Sequence, residues 1–174
     1  MKYYTQIPII GLEKLQEEVL EIIGPYLTVD NFSNFSYQWS DQLKRLPTFV
    51  KNLMRLKLYQ DIVTVGIITM PPHTELQIHH DTVGSKYSLN IPIQNTKGTY
   101  TMFYATQSKP VEQNHGNILS QSYWYYDQNN CVEKARIEMN QPYLIDVSVP
   151  HNAINPTDKT RIVLLVRLNS NISV

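Results

Sequence analysis

The segment "RIVLLVRL", Arg161–Leu168, is the strongest constraint on the fold. It is apolar at every position from Ile162 to Val166 and is rich in β-branched residues. A run this short and this branched reads as a strand. A strand that is apolar at successive positions has no face to offer to water. The chain must therefore build a sheet that is covered on both sides, and something other than the sheet must supply one of the covers.

The first third of the chain offers that cover. "GLEKLQEEVLEIIG" reads as an amphipathic helix with Leu12, Leu15, Val19, Ile22 and Ile23 on one face and Gly24-Pro25 as its end. "PTFVKNLMRLKLY" reads as a second helix, with Pro47 in its first turn and Val50, Leu53, Met54 and Leu58 at helical spacing. "VDNFSNFSYQWSD" between them reads as irregular. From Asp61 the pattern changes to short β-rich pieces: "IVTVGIITM", "ELQIHHD", "YSLNIPI", "TYTMFYA", "YWYYD", "PYLIDVSV" and "RIVLLVRL". Turn-forming stretches such as "TVGS", "QNTKG" and "NPTDKT" divide them. This order predicts one domain over residues 1–174, a mainly β sandwich or jelly-roll. Residues 61–170 form its core, and residues 1–60 are helical support packed on one sheet.

Charge excludes some functions. Lys+Arg and Asp+Glu are equal at 15 each, so no global field draws the protein to nucleic acid or to an anionic membrane. Lys44, Arg45, Lys51, Arg55 and Lys57 form a local basic stretch, which reads as a solvated helix face. Cys131 is the single cysteine, so neither an intrachain disulfide nor a thiolate metal cluster can form, and it reads as a small apolar filler. The N-terminus lacks a signal-like apolar run and no stretch is long enough to span a bilayer, so a cytoplasmic protein is expected.

The chemistry concentrates in "ITMPPHTELQIHHDTVGSKYSLNIPI", which holds three of the five histidines. Strand side chains alternate, so His79 and Asp81 share a face and His80 takes the other. His151 comes much later, after an apolar strand and at the head of a turn-rich segment, and Arg161 follows ten residues on. Two imidazoles and one carboxylate suit iron(II), manganese or zinc. Three protein ligands on one face of an octahedral ion leave three positions open. An arginine nearby is suited to gripping a carboxylate with two parallel donors.

This set resembles the iron(II)- and 2-oxoglutarate-dependent oxygenases, a family with a double-stranded β-helix, or cupin-like jelly-roll, fold. The resemblance lies in His79-x-Asp81, His151 and Arg161 and spans roughly residues 63–168. The order His-x-Asp followed by Leu89-Asn90-Ile91-Pro92-Ile93 is most similar to the aspartyl/asparaginyl β-hydroxylase-like branch. The resemblance implies iron(II) on His79, Asp81 and His151, and 2-oxoglutarate held by Arg161 with help from Asn90, beside which Ser88 faces the same way. It implies an enzyme that consumes dioxygen, turns the oxo acid into succinate and hydroxylates a peptide side chain or a small metabolite. The same residues also permit a non-catalytic jelly-roll binding module or a zinc hydrolase; the latter gives Arg161 no task. His73 and His115 read as loop residues, His80 as structural, Tyr87, Tyr100, Met102 and Tyr104 as core, and Arg167 as a solvated strand end.

Overall fold

The computed structural model of the chain describes residues 3–27, 39–81, 85–114 and 122–169. Its elements run β1 (Tyr4–Gln6), α1 (Leu12–Ile23), α2 (Ser40–Leu43), α3 (Pro47–Arg55), β2 (Ile62–Met70), β3 (Thr74–Glu75) and β4 (His79–Asp81). They continue with β5 (Ser85–Gln94), β6 (Tyr100–Thr106), β7 (Val111–Asn114), β8 (Ser122–Tyr125), β9 (Cys131–Glu138), β10 (Tyr143–Asp146), β11 (His151–Asn155) and β12 (Arg161–Asn169). The strands form two antiparallel sheets. One has the order β1-β10-β5-β12-β2, and the other the order β7-β8-β4-β11-β6-β9, with β3 paired to β11. The protein is a double-stranded β-helix with its helices packed on the first sheet.

β12 occupies the place its composition demands. It lies between β5 and β2, inside the first sheet. Its even-numbered side chains, Ile162, Leu164, Val166 and Leu168, join Leu89 and Ile91 of β5 and Val65 and Ile67 of β2 in one core. Leu15, Val19 and Ile23 of α1, Leu43 of α2, and Phe49 and Leu53 of α3 close that core from outside. The odd-numbered side chains of β12 face the space between the sheets, where a smaller cluster of Phe103, Ile137, Met139, Ile145 and Val147 also lies. Continuous hydrophobicity thus reports a strand covered by helices on one face and by the second sheet on the other.

The helices show where apolar counting falls short. α1 covers its expected span and buries Leu15, Val19 and Ile23. α3 starts at Pro47 as expected, but it buries Phe49, Asn52 and Leu53 and leaves Met54 61% exposed. The expected face through Met54 was therefore displaced, because Asn52 occupies the inner stripe. Its amide is satisfied there: Oδ1 accepts from the Ile10 N–H at 2.8 Å, and Nδ2 donates to the carbonyls of Ile10 at 2.8 Å and Thr48 at 2.9 Å. A buried amide with all these partners costs little and ties α3 to the approach of α1.

Other differences are local. β1 pairs with β10 at a sheet edge, although the first 60 residues read as helical support. β7 and β9 were not anticipated; polar side chains interrupt their alternation, as in "CVEKARIE". Trp39–Leu43 includes the short helix α2, within a stretch read as irregular. Residues 28–38, the sequence "TVG" at 82–84 and His115 lie outside the described residues. The turn in "QNTKG" is formed as expected: Asn95 and Gly98 take φ of 53° and 76°. Among the described residues no helix is long and apolar enough to cross a membrane.

Candidate metal centre

β4 and β11 are neighbours in the second sheet, with His151 directly opposite His79. His151 is the first residue of a strand, not the start of a turn-rich loop as expected; the turn begins after Asn155. Both histidines and Asp81 are buried on the sheet's inner face, and one ligand atom from each lies within 4.8 Å of the others. The imidazole rings are 4.6 Å apart, and His79 Nε2 is 3.8 Å from Asp81 Oδ1. Strand alternation thus makes the selection expected from sequence. His80 points to the opposite face, where its ring stacks on Trp124 and its Nδ1 lies 2.7 Å from the Tyr126 hydroxyl.

Both imidazoles are held in one tautomer. His79 Nδ1 lies 2.7 Å from the Gln77 carbonyl, and His151 Nδ1 lies 2.9 Å from the Val149 carbonyl. A carbonyl only accepts, so each Nδ1 carries a proton and each Nε2 is the nitrogen left to meet a metal. Burial above all, with the neighbouring His79, pushes His151 down to about 4, so its ring is neutral around neutral pH. Burial by itself would raise the Asp81 carboxyl. The Arg167 guanidinium and the two imidazoles outweigh it and hold the group below its ordinary value. Asp81 Oδ2 accepts from Arg167 Nη1, while Asp81 Oδ1 is buried with no hydrogen-bond partner among the described residues. A charged oxygen without a partner is costly in a protein interior. This one stands beside two directed imidazole nitrogens, which is the donor set of a divalent metal site.

Arg167 is a correction. It is not a solvated strand end: it is 4% exposed and crosses from the first sheet to pair with Asp81. The physical reason is parity. Arg161, Val163, Leu165 and Arg167 alternate onto one face of β12, and β12 is an interior strand whose partners extend past residue 167.

The remaining polar residues line the same cavity between the sheets: Ser88, Asn90, Thr101, Arg161 and Arg167 with His79, Asp81 and His151. Ser88 Oγ donates to Asn90 Oδ1 at 2.7 Å, which fixes the amide's orientation. Asn90 thus faces inward with Ser88, as expected. Arg161 is 2% exposed; its Nη1 reaches Met70 Sδ at 3.5 Å and the Tyr100 carbonyl at 3.3 Å, and its Nε has no partner among the described residues. Among the described residues no carboxylate pairs with it. Burial lowers its pKa to about 10. The Thr101 hydroxyl, also buried and without a partner among the described residues, lines the cavity and was not anticipated. Its signal in sequence is faint, a threonine alternating with apolar residues in "TYTMFYA".

Comparison with protein-family models gives no match, and comparison with curated proteins gives none either. Solved structures share the fold. AviO1 from Streptomyces viridochromogenes aligns over 99% of this chain and 91% of that chain, with TM-score 0.58 and 13% identity. The epimerase SnoN, solved in complex with Fe3+, alpha ketoglutarate and nogalamycin RO, aligns over 96% of this chain and 79% of that chain, with TM-score 0.59 and 11% identity. EvdMO1 aligns over 98% of this chain and 48% of that chain, with TM-score 0.54 and 11% identity. The fold defines a jelly-roll protein, and within it the chain brings together a His-Asp-His cluster.

Proposed function

We propose that the protein is an iron(II)- and 2-oxoglutarate-dependent oxygenase. The observation that carries this reading is the buried Arg161 guanidinium, without an acid partner among the described residues, in the same cavity as three convergent side chains able to ligate a metal. A bare His-Asp-His cluster fits several metal functions. A desolvated cation beside it calls for an anion, because an uncompensated buried charge costs several kcal/mol. SnoN, the similar structure described above, was solved with both Fe3+ and alpha ketoglutarate.

In this reading His79 Nε2, Asp81 Oδ1 and His151 Nε2 hold the ion. The spacing suits the cosubstrate. Arg161 contacts Tyr100, three residues along β6 from Phe103, which lies opposite His151. At about 3.4 Å per residue the guanidinium sits roughly 10 Å along the sheet from the histidines. A five-carbon diacid that chelates the ion can reach that far. Arg161 then pairs with its far carboxylate, Thr101 offers a hydroxyl, and Asn90, oriented by Ser88, offers its amide N–H. Iron(II) would supply dioxygen activation, with the oxo acid giving two electrons and leaving as succinate and carbon dioxide. One oxygen atom would enter the succinate and the other the substrate, a peptide side chain or a small metabolite. The residues of this chain position both partners and exclude water. The test is succinate formation by anaerobically reconstituted protein on exposure to air. It should require both iron(II) and 2-oxoglutarate and disappear in Asp81→Asn. Metal-independent or absent turnover of the oxo acid would refute the reading.

A further inference from the structure

We propose that Arg167 is a positioning residue that restricts Asp81 to one oxygen at the metal, so that the ion keeps a coordination position it would otherwise lose. The inference rests on the metal-centre reading above and deepens it. The two carboxylate oxygens of Asp81 have different surroundings. Oδ2 is taken by Arg167 Nη1, which reaches it from the opposite sheet. Among the described residues Oδ1 has no hydrogen-bond partner, and it lies 3.8 Å from His79 Nε2. Arg167 stands directly across from Ser88 in β5 and is 4% exposed, so the guanidinium has little access to water as a competing partner. A charge-assisted hydrogen bond in such surroundings holds its acceptor firmly.

The consequence is a matter of counting. Carboxylates bind divalent ions through either one or two oxygens. On a six-coordinate ion, two imidazoles and one carboxylate oxygen leave three positions; a second carboxylate oxygen leaves two. A chelating oxo acid fills two, so a third position for dioxygen exists only while Asp81 stays a one-oxygen ligand. Arg167 occupies the oxygen that would close it. Arg161 and Arg167, on one face of one strand, thus divide the work: the first meets the far end of the oxo acid, the second guards the ion's open side.

The experiment uses cobalt(II) as the probe, in crystals of the whole protein and in solution by visible absorption during titration with 2-oxoglutarate and then azide. In wild type, Asp81 should bind cobalt through Oδ1 alone, with Oδ2 still on Arg167. In Arg167→Met, both oxygens should bind, cobalt should still be held and the oxo acid should still chelate, but no position should be left open. Azide added to the cobalt and oxo-acid complex probes that position, and it should bind the variant about 10–100-fold more weakly than wild type. Arg167→Lys, which keeps a cation but one point donor, should restore part of the azide binding. A two-oxygen Asp81 in wild type, a one-oxygen Asp81 in Arg167→Met, or equal azide affinity in both overturns the proposal. If Arg167→Met does not fold, the wild-type crystal and the Lys variant decide by the same criteria. Failure of wild type to bind cobalt would instead refute the metal centre itself.

Discussion

Arg161 and His151 are both buried at a cost to the fold, and each cost is measurable. Arg161 is desolvated with no acid partner among the described residues, so in the metal-free, ligand-free protein its charge opposes folding. Arg161→Met keeps the length and removes the charge. We expect its ligand-free melting temperature to equal or exceed that of wild type, while 2-oxoglutarate binding weakens by a factor on the order of tens to thousands, at roughly 1.5–3 kcal/mol per charged hydrogen bond. Arg161→Lys should fall between. A variant that melts far below wild type but binds the oxo acid equally well would make Arg161 a structural residue. His151 gives a pH dependence. Its value falls from 6.5 to about 4 on folding, so the unfolded chain takes up the proton first as the medium is acidified. The stability gained by keeping the ring neutral is complete above about 6.5 and is lost as pH falls towards about 4, on the order of 3 kcal/mol in all. Asp81, whose value is also lowered, adds loss in the same direction at lower pH. Melting of metal-free protein between pH 7 and 4.5 should show the decline, and His151→Gln should flatten it; a flat wild-type profile would contradict the burial argument.

At the level of elements, β4 and β12 show what alternation can and cannot tell. On β4 it puts His79 and Asp81 on one face and His80 on the other, which is how the side chains lie. We therefore expect Asp81→Asn to weaken divalent-metal binding sharply. His80→Ala should leave that binding within a few-fold while lowering stability through the lost Tyr126 and Trp124 contacts. Metal titration by calorimetry checks both, and the reverse order would mean that the wrong face was chosen. The same rule applied to β12 places Arg167 with Arg161, yet the end of an apolar run looks like an exit to solvent. Only the pairing of β12 on both sides reveals that it is not. Ile162–Val166 required two covers, and both are present; truncating Leu164, fully buried in the core that the helices close, should cost about 2–5 kcal/mol in denaturant unfolding. A cost below about 1 kcal/mol would mean that the helices do not cover the strand. Asn52 of α3 and the polar strand β9 were hidden for one reason. Each takes its place through hydrogen bonds to distant backbone, which apolar periodicity does not encode.

For the whole molecule, the first sheet supplies two arginines with Ser88 and Asn90, the second supplies imidazoles and a carboxylate, and the cavity lies where their inner faces meet. The cluster was legible because its members are rare residue types in a fixed order. Thr101 was not, because a hydroxyl in a strand carries no signal until its lack of a partner is seen. The most direct test of the account is a crystal structure of the protein grown without oxygen in manganese(II) and 2-oxoglutarate. We predict one ion on His79 Nε2, Asp81 Oδ1 and His151 Nε2, chelated by the oxo acid, whose far carboxylate lies against Arg161 and Thr101. An ion bound elsewhere, or an oxo acid absent from Arg161 at saturating concentration, would contradict it.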